Sequence, residues 1–378
     1  MSSHCNPNIV EDGLVFLYDV DDIQSYKGEP TINYGPASFG DWGTESTAER
    51  IATGNTFNGQ PTYNCRTVVG QSYRGIEKTI SGLRTAAGSS GTVTMSCMVR
   101  NNNSTSYNMF AFIGHDFTST RNIAANSDWQ KVQWTVNQSS MNNDYVEFRP
   151  YTNNASIYLE MTMPMVEVNK GHATQFVDGT RSATQGLIDR TGNSTIDLSN
   201  VSFDSNAQMT FDGTDDYISA ASFDMGTPTE ITVECVIRFN GSLDSADRKV
   251  MHYNKSGGTN AVFQLRKGDS NSRLYYQAHN GSQWYTMTDT DAIESDTWAH
   301  FIITHSGTSA IMYKNGVQSA TATMGNLEWT NANDLLIGYR TNSEYWKGDI
   351  AIMKIYNKAL TSTEILQNYN AIKSRFSL

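Results

Sequence analysis

The chain has 378 residues, enough for two or three ordinary domains, each able to bury a core without metal or disulfide staples. Charged residues make up only 17% and the formal net charge is −11, with no run of Lys or Arg, which argues against nucleic acid or an anionic membrane as a partner. No stretch approaches the roughly 20 apolar residues a membrane-spanning helix needs, so membrane insertion is not expected.

The opening "MSSHCNPNIVEDGLVFLYDV" has neither a basic leader nor a long apolar stretch, so a secretion signal is not expected. A first strand is predicted near residues 13–19. Through the next 150 residues, "GTVTMSCMVR", "NMFAFIG", "WQKVQWTV", "DYVEFRPY" and "ASIYLEMTMPMVEV" alternate as strands do, between polar loops such as "NNNSTS". From about residue 208 the pattern is again strand, turn, strand. "EITVECVIRF" places Ile231, Val233, Cys235, Ile237 and Phe239 on one face, and Asn315-Gly316 sits between two strand-like runs as a hairpin turn. The chain ends in its one convincing helical signal. Thr361 is a predicted N-cap, Glu364 completes a capping box, and Leu360 is placed to staple onto Ile365. Ile365, Tyr369, Ile372 and Phe376 form the stripe expected to be buried. The predicted class is therefore all-β: two antiparallel β-sandwiches of the jelly-roll kind, with a C-terminal amphipathic helix packed on the second.

Cys5, Cys65, Cys97 and Cys235 are scattered without CxxC spacing and read as free, buried thiols in a reducing cytoplasm, rather than as disulfides or zinc ligands, with Cys97 and Cys235 inside apolar strands.

"FDGTDDYI", "WAHFIITHSGTSAIMYKNGV", "LLIGYR" and "GDIAIMKIYNKALTSTEILQNYNAIKSRF" resemble, in order, the motifs of laminin-G-like, concanavalin-A-like jelly rolls of tailed-phage and other microbial surface proteins. "GLVFLYDVDDIQSYKG" is similar to the first strand of those jelly rolls, but the text that normally follows it comes only at Gly186–Gly213. The resemblance thus implies a discontinuous domain. Residues 1–28 are an arm and first strand, 29–183 an inserted sandwich, and 184–378 the remainder with its end helix. The insert, closing on "PMVEV" and "ATQFVDGTRS", resembles galactose-binding or carbohydrate-binding-module jelly rolls.

Catalytic patterns are sparse. The seven histidines show no HExxH, and His300 and His305 fall on opposite faces of one strand. No paired-carboxylate motif of the glucanase type is present. Glu230 and Glu234 share the face opposite the apolar run and read as solvated, as does the run Asp19, Asp21 and Asp22. No catalysis is expected. Asp212, Asp215 and Asp216 lie in one turn, where two readings stand: a calcium site, or Asp and Gly making the turn alone. No cofactor other than calcium is in view. Trp42, Trp329, Tyr345 and Trp346 lie in turn-rich text and are the candidates for a carbohydrate platform or a protein contact.

The resemblance implies a non-enzymatic structural protein on the outside of a tailed-phage virion, in capsid decoration, neck or tail fibre. Other virion proteins, further copies of this chain and a host-surface glycan are the implied partners. A dedicated carbohydrate-binding adhesin and a polysaccharide-degrading enzyme stand as alternatives. Absence of a leader fits assembly in a host cytoplasm.

Overall fold

The computed structural model describes residues 8–378 apart from 46–47, 68–74, 115, 153–155, 204–208, 222, 256–260, 269–270, 331 and 341–343. The chain divides into two compact units. One combines the segment up to Glu29 with the chain from Ala183 onward, and the other is built from Pro30–Ser182. Cys5 lies outside the described residues; Cys65, Cys97 and Cys235 are buried free thiols, and burial pushes all three thiol pKa values well up.

The discontinuous unit is a sandwich of two seven-stranded sheets. In the first, the strands run in the order Leu14–Asp19, Lys347–Tyr356, Glu230–Phe239, Trp298–Ser306, Ser309–Lys314 and Val317–Thr323, and Phe211–Asp212 pairs with the Lys347 end. The opening strand is antiparallel to the last one, Leu14 opposite Tyr356 and Asp19 opposite Ile352. The second sheet runs Thr195–Asp197, Ile218–Ala221, Ala332–Ile337, Arg248–Lys255, Ala261–Lys267, Arg273–His279 and Trp284–Ala292. Period-two alternation explains the core. Ile231, Val233, Cys235, Ile237 and Phe239 point inward with Phe16, Phe301, Ile303 and Met353, against Tyr253, Phe263, Leu265, Tyr276 and Ile337 of the other sheet. Asn315 and Gly316 both take positive φ (50° and 78°), the backbone of a two-residue hairpin whose twist matches the flanking strands.

The helix Ser362–Phe376 covers the outer face of the first sheet. Its capping box is complete: the Thr361 hydroxyl accepts from the Glu364 amide, and the Glu364 carboxylate accepts from the Thr361 amide. Leu360 and Ile365 pack together with Val10, Ile302 and Tyr356, while Ala371, Ile372 and Phe376 pack on Val236, Ala351 and Ile352. Tyr369 is half-buried, its ring stacked on His300 at 5.9 Å. At the far end Arg375 forks onto both oxygens of Asp19 at 2.6 and 2.7 Å and reaches Asp21 at 3.0 Å. The expectation of a merely solvated acidic run is corrected there, because Asp19 and Asp21 tie the helix to the opening strand. Asp22 lies 3.5 Å from Arg190.

The Pro30–Ser182 unit holds an eleven-stranded sheet system whose main path runs Arg121–Ile123, Tyr107–Ile113, Tyr145–Tyr151, Gln60–Thr67, Leu159–Val168, Thr92–Asn101 and Ser127–Asn137. Its described pairings are antiparallel except Tyr151 with Thr67. Val93, Met95, Cys97, Val99, Trp134, Phe148, Met161 and Val166 make its core. Among the described residues, no helix of either unit is long and apolar enough to cross a membrane.

Candidate functional site

Among the described residues, chemically capable side chains gather under the C-terminal helix and at a rim of the discontinuous unit, and within the inserted unit. The first place is the one beneath the helix. Glu234 stands directly opposite Lys354 on the neighbouring strand, and their heads meet at 2.6 Å. His300 Nε2 lies 3.1 Å from the same carboxylate oxygen, and Asn368 of the helix donates to the other at 2.7 Å. Asn368 also accepts the Val10 amide, and the Tyr356 hydroxyl donates to the Val10 carbonyl. Glu234 is fully buried, and His300 and Lys354 are buried with it. The reading of Glu234 as a solvated outer-face residue is therefore corrected: the face it shares is roofed by the helix, which sequence alternation does not reveal. Burial by itself would raise the Glu234 pKa, but the Lys354 charge and the His300 contact outweigh it and hold the carboxyl well below the usual range. A carboxylate, an imidazole and an ammonium at such distances resemble an acid–base set, here enclosed between the sheet and the helix. Glu230 is half-buried and bonds to the Ser306 hydroxyl.

In the inserted unit the Tyr145 hydroxyl lies against Glu77, 3.1 Å from Glu45 and 3.5 Å from Glu147. Glu77 and Glu147 are cross-strand neighbours, so like charges face each other. Burial raises the Glu147 pKa, while Arg149, paired with it at 2.6 Å, opposes the rise. Sequence reading missed this cluster, because its members come together only through the pairing of Ile76–Thr79 with Tyr145–Tyr151. Glu147 is fully buried and ion-paired, while Glu45 and Glu77 are half-buried.

The third place is the rim around Tyr345. Of the four aromatic candidates, two are corrected. Trp346 is fully buried, edge-on to Phe239 at 5.7 Å, and Trp42 is buried between Phe39 and Phe148 with its indole N–H on the Pro36 carbonyl. Neither has a face to offer a ligand; turn-rich flanking text had marked loop ends that dive into the core. Trp329 is half-buried, leaning on Tyr253 and Phe263, with its N–H bound to Pro228 O at 3.1 Å. Tyr345 alone stays open to a groove.

Tyr345 is the end of a three-ring stack. Its ring lies 4.6 Å from Tyr339 at 19°, and Tyr339 lies 4.8 Å from Tyr217 at 33°. The register that pairs Ile218 with Ile337 sets Tyr217 beside Tyr339. All three rings are half-exposed. Burial raises the Tyr345 pKa, with Tyr339 adding to the rise. Beside the stack runs a groove of about 360 Å³, lined by Ser199, Asn200, Ser202, Asp215, Tyr217 and Tyr345 among others.

The acidic turn forms one wall. Asp216 is buried, and its two oxygens accept the amides of Ser202 (2.6 Å) and Asp212 (2.9 Å). Burial raises its pKa and these amides oppose the rise. Asp212 caps its own turn through the Thr214 amide, and Gly213 takes φ +84° with Arg248 pressed close enough to exclude a Cβ. The Arg248 guanidinium bonds the carbonyls of Gly213 and Tyr345 and pairs with Asp244 at 2.6 Å. Oxygens of Asp212, Asp215 and Asp216 lie within 4.8 Å of one another, a span one calcium ion can bridge. Three carboxylate oxygens are half of the smallest calcium shell, and both oxygens of Asp216 also accept backbone amides.

Residues 212–366 match the family model described as the Concanavalin A-like lectin/glucanases superfamily, less than half of the chain. That stretch of the discontinuous unit is thus similar to laminin-G-like domains of that superfamily. No curated protein matches the chain in sequence. Among solved structures, the botulinum neurotoxin serotype D binding domain is similar at 14% identity over 49% of this chain and 49% of that one, with a TM-score of 0.39. The type G receptor-binding domain gives 16% identity over 50% and 49%, TM-score 0.37. The native heptameric SAP-like pentraxin of Limulus polyphemus gives 18% over 42% and 78%, TM-score 0.34. The chain spans about half the length of the neurotoxin domains it resembles.

Proposed function

We propose that this protein is a non-catalytic component of the exterior of a tailed-phage virion, joining subunits and holding a host-surface glycan in the groove at Tyr345. The observation that carries the glycan reading is the half-exposed stack Tyr217, Tyr339 and Tyr345 beside a wall of hydroxyl, amide and carboxylate groups, on a lectin-superfamily sandwich. Sugar rings present apolar C–H faces that lie on aromatic rings, and their hydroxyls need both donors and acceptors at the edge. The virion assignment rests on the resemblance of the FDG-type turn, the Asn315-Gly316 hairpin and the capped end helix to phage jelly rolls. Lack of catalysis is supported by the enclosure of Glu234, His300 and Lys354. No cofactor is required in this reading, and calcium at Asp212, Asp215 and Asp216 is its variant.

A glycan array probed with the purified chain tests the proposal, alongside Tyr345→Ala. The expected result is selective glycan binding that drops at least about tenfold in the variant, as for loss of an aromatic anchor, with unchanged thermal unfolding. Binding that survives EDTA, without release of reducing sugar, completes the expectation. No binding to any glycan, with normal incorporation into particles, would leave the structural role alone.

A further inference from the structure

The groove at Tyr345 has a sign as well as a shape. None of its described lining residues is a Lys or Arg, while Asp215 is exposed on its wall and Asp212 stands exposed next to it. Arg248, a cation beneath the turn, has its charge matched by Asp244, and its N–H groups are turned to the Gly213 and Tyr345 carbonyls. Lys347 stands opposite Asp212 on the neighbouring strand, so Asp215 is the carboxylate that sets the sign of the groove wall. A ligand resting on Tyr345 therefore meets acceptors and negative charge, with Asn200 and the Ser199 and Ser202 hydroxyls as its neutral neighbours.

We infer that the groove selects neutral hexoses and amino sugars and discriminates against uronic and sialic acids. This rests on the glycan reading above and deepens it. Sugar hydroxyls donate to the exposed carboxylates, and an ammonium group gains a charge-assisted bond there. A sugar carboxylate placed on the same ring face would meet the like charge of Asp215, which in a water-exposed groove weakens binding by about fivefold at low salt and less at high salt.

The test uses the full chain and three polymer-bound sugars that share a ring, namely galactose, galactosamine and galacturonate, with the glucose series in parallel. Affinities are read by biolayer interferometry at low and at high salt. The expected result is hexose and hexosamine binding at least about fivefold tighter than uronate at low salt, a gap that narrows with salt and in Asp215→Asn. Tyr345→Ala should weaken every member of the series together. Uronate binding as tight as hexose at low salt overturns the charge selection while leaving the glycan reading in place. So does an Asp215→Asn variant that keeps the full gap. Absence of binding by every sugar overturns the glycan reading, and this inference with it.

Discussion

Under the C-terminal helix, Glu234, His300 and Lys354 meet within 3.1 Å. At the rim, three tyrosines and two exposed aspartates stand beside a groove on the same sandwich. By residue type the first set looks like the chemistry and the second like ordinary loop text. Accessibility reverses that ranking. The enclosed set ties the helix to the sheet through Glu234 and Asn368, whereas the rim keeps ring faces and carboxylates without that duty. The neighbours Tyr345 and Trp346 show the same divide one residue apart, the first half-exposed and the second fully buried.

The sharpest way to break this contrast is to truncate that neighbouring pair. Trp346→Ala removes a fully buried indole and is expected to cost about 3–5 kcal/mol of unfolding free energy in urea titration. Tyr345→Ala should move stability by no more than about 0.5 kcal/mol while it removes binding. Equal losses from both would mean that the rim is also structural. Next in size, Glu234→Gln leaves the Lys354 ammonium buried without its counter-charge, at about 3 kcal/mol. Because the native Glu234 pKa is lowered, its contribution is complete above the unfolded carboxylate value of about 4.3 and is lost as pH falls below it. The wild type should thus lose stability on acidification over that range more steeply than the variant. A variant with the same acid limb would show that the ion pair is not what the helix rests on. The smallest effect is at the cap: Thr361→Ala should cost about 1 kcal/mol and raise amide exchange in the first helical turn alone.

What was legible in the sequence was local. The capping box at Thr361 and Glu364, the Leu360 staple and the Asn315-Gly316 turn each depend on residues a few positions apart, and each is present as read. The alternation of "EITVECVIRF" gave its inward face correctly, but the outward face was misjudged because a helix 130 residues later covers it. Trp42 and Trp346 were misjudged for a related reason: turn-forming neighbours describe the backbone, not the direction of the side chain. The tyrosine stack was invisible, since Tyr217 meets Tyr339 only through a register between strands more than 100 residues apart.

The antiparallel pairing of Leu14–Asp19 with Lys347–Tyr356 has a consequence for the order of events during synthesis. Leu14–Asp19 has no described strand partner until Lys347–Tyr356, more than 300 residues later, has been made. At about 5–20 residues per second, that is a wait of tens of seconds. Pro30–Ser182 is complete well before then and is free to collapse on its own strands, whose pairings lie within that stretch. The apolar Val15, Phe16 and Leu17 remain an open edge meanwhile, closed last by the terminal strand, the helix and the Arg375 clamp on Asp19. A truncation before residue 347 would therefore release a chain with a folded middle and a sticky beginning.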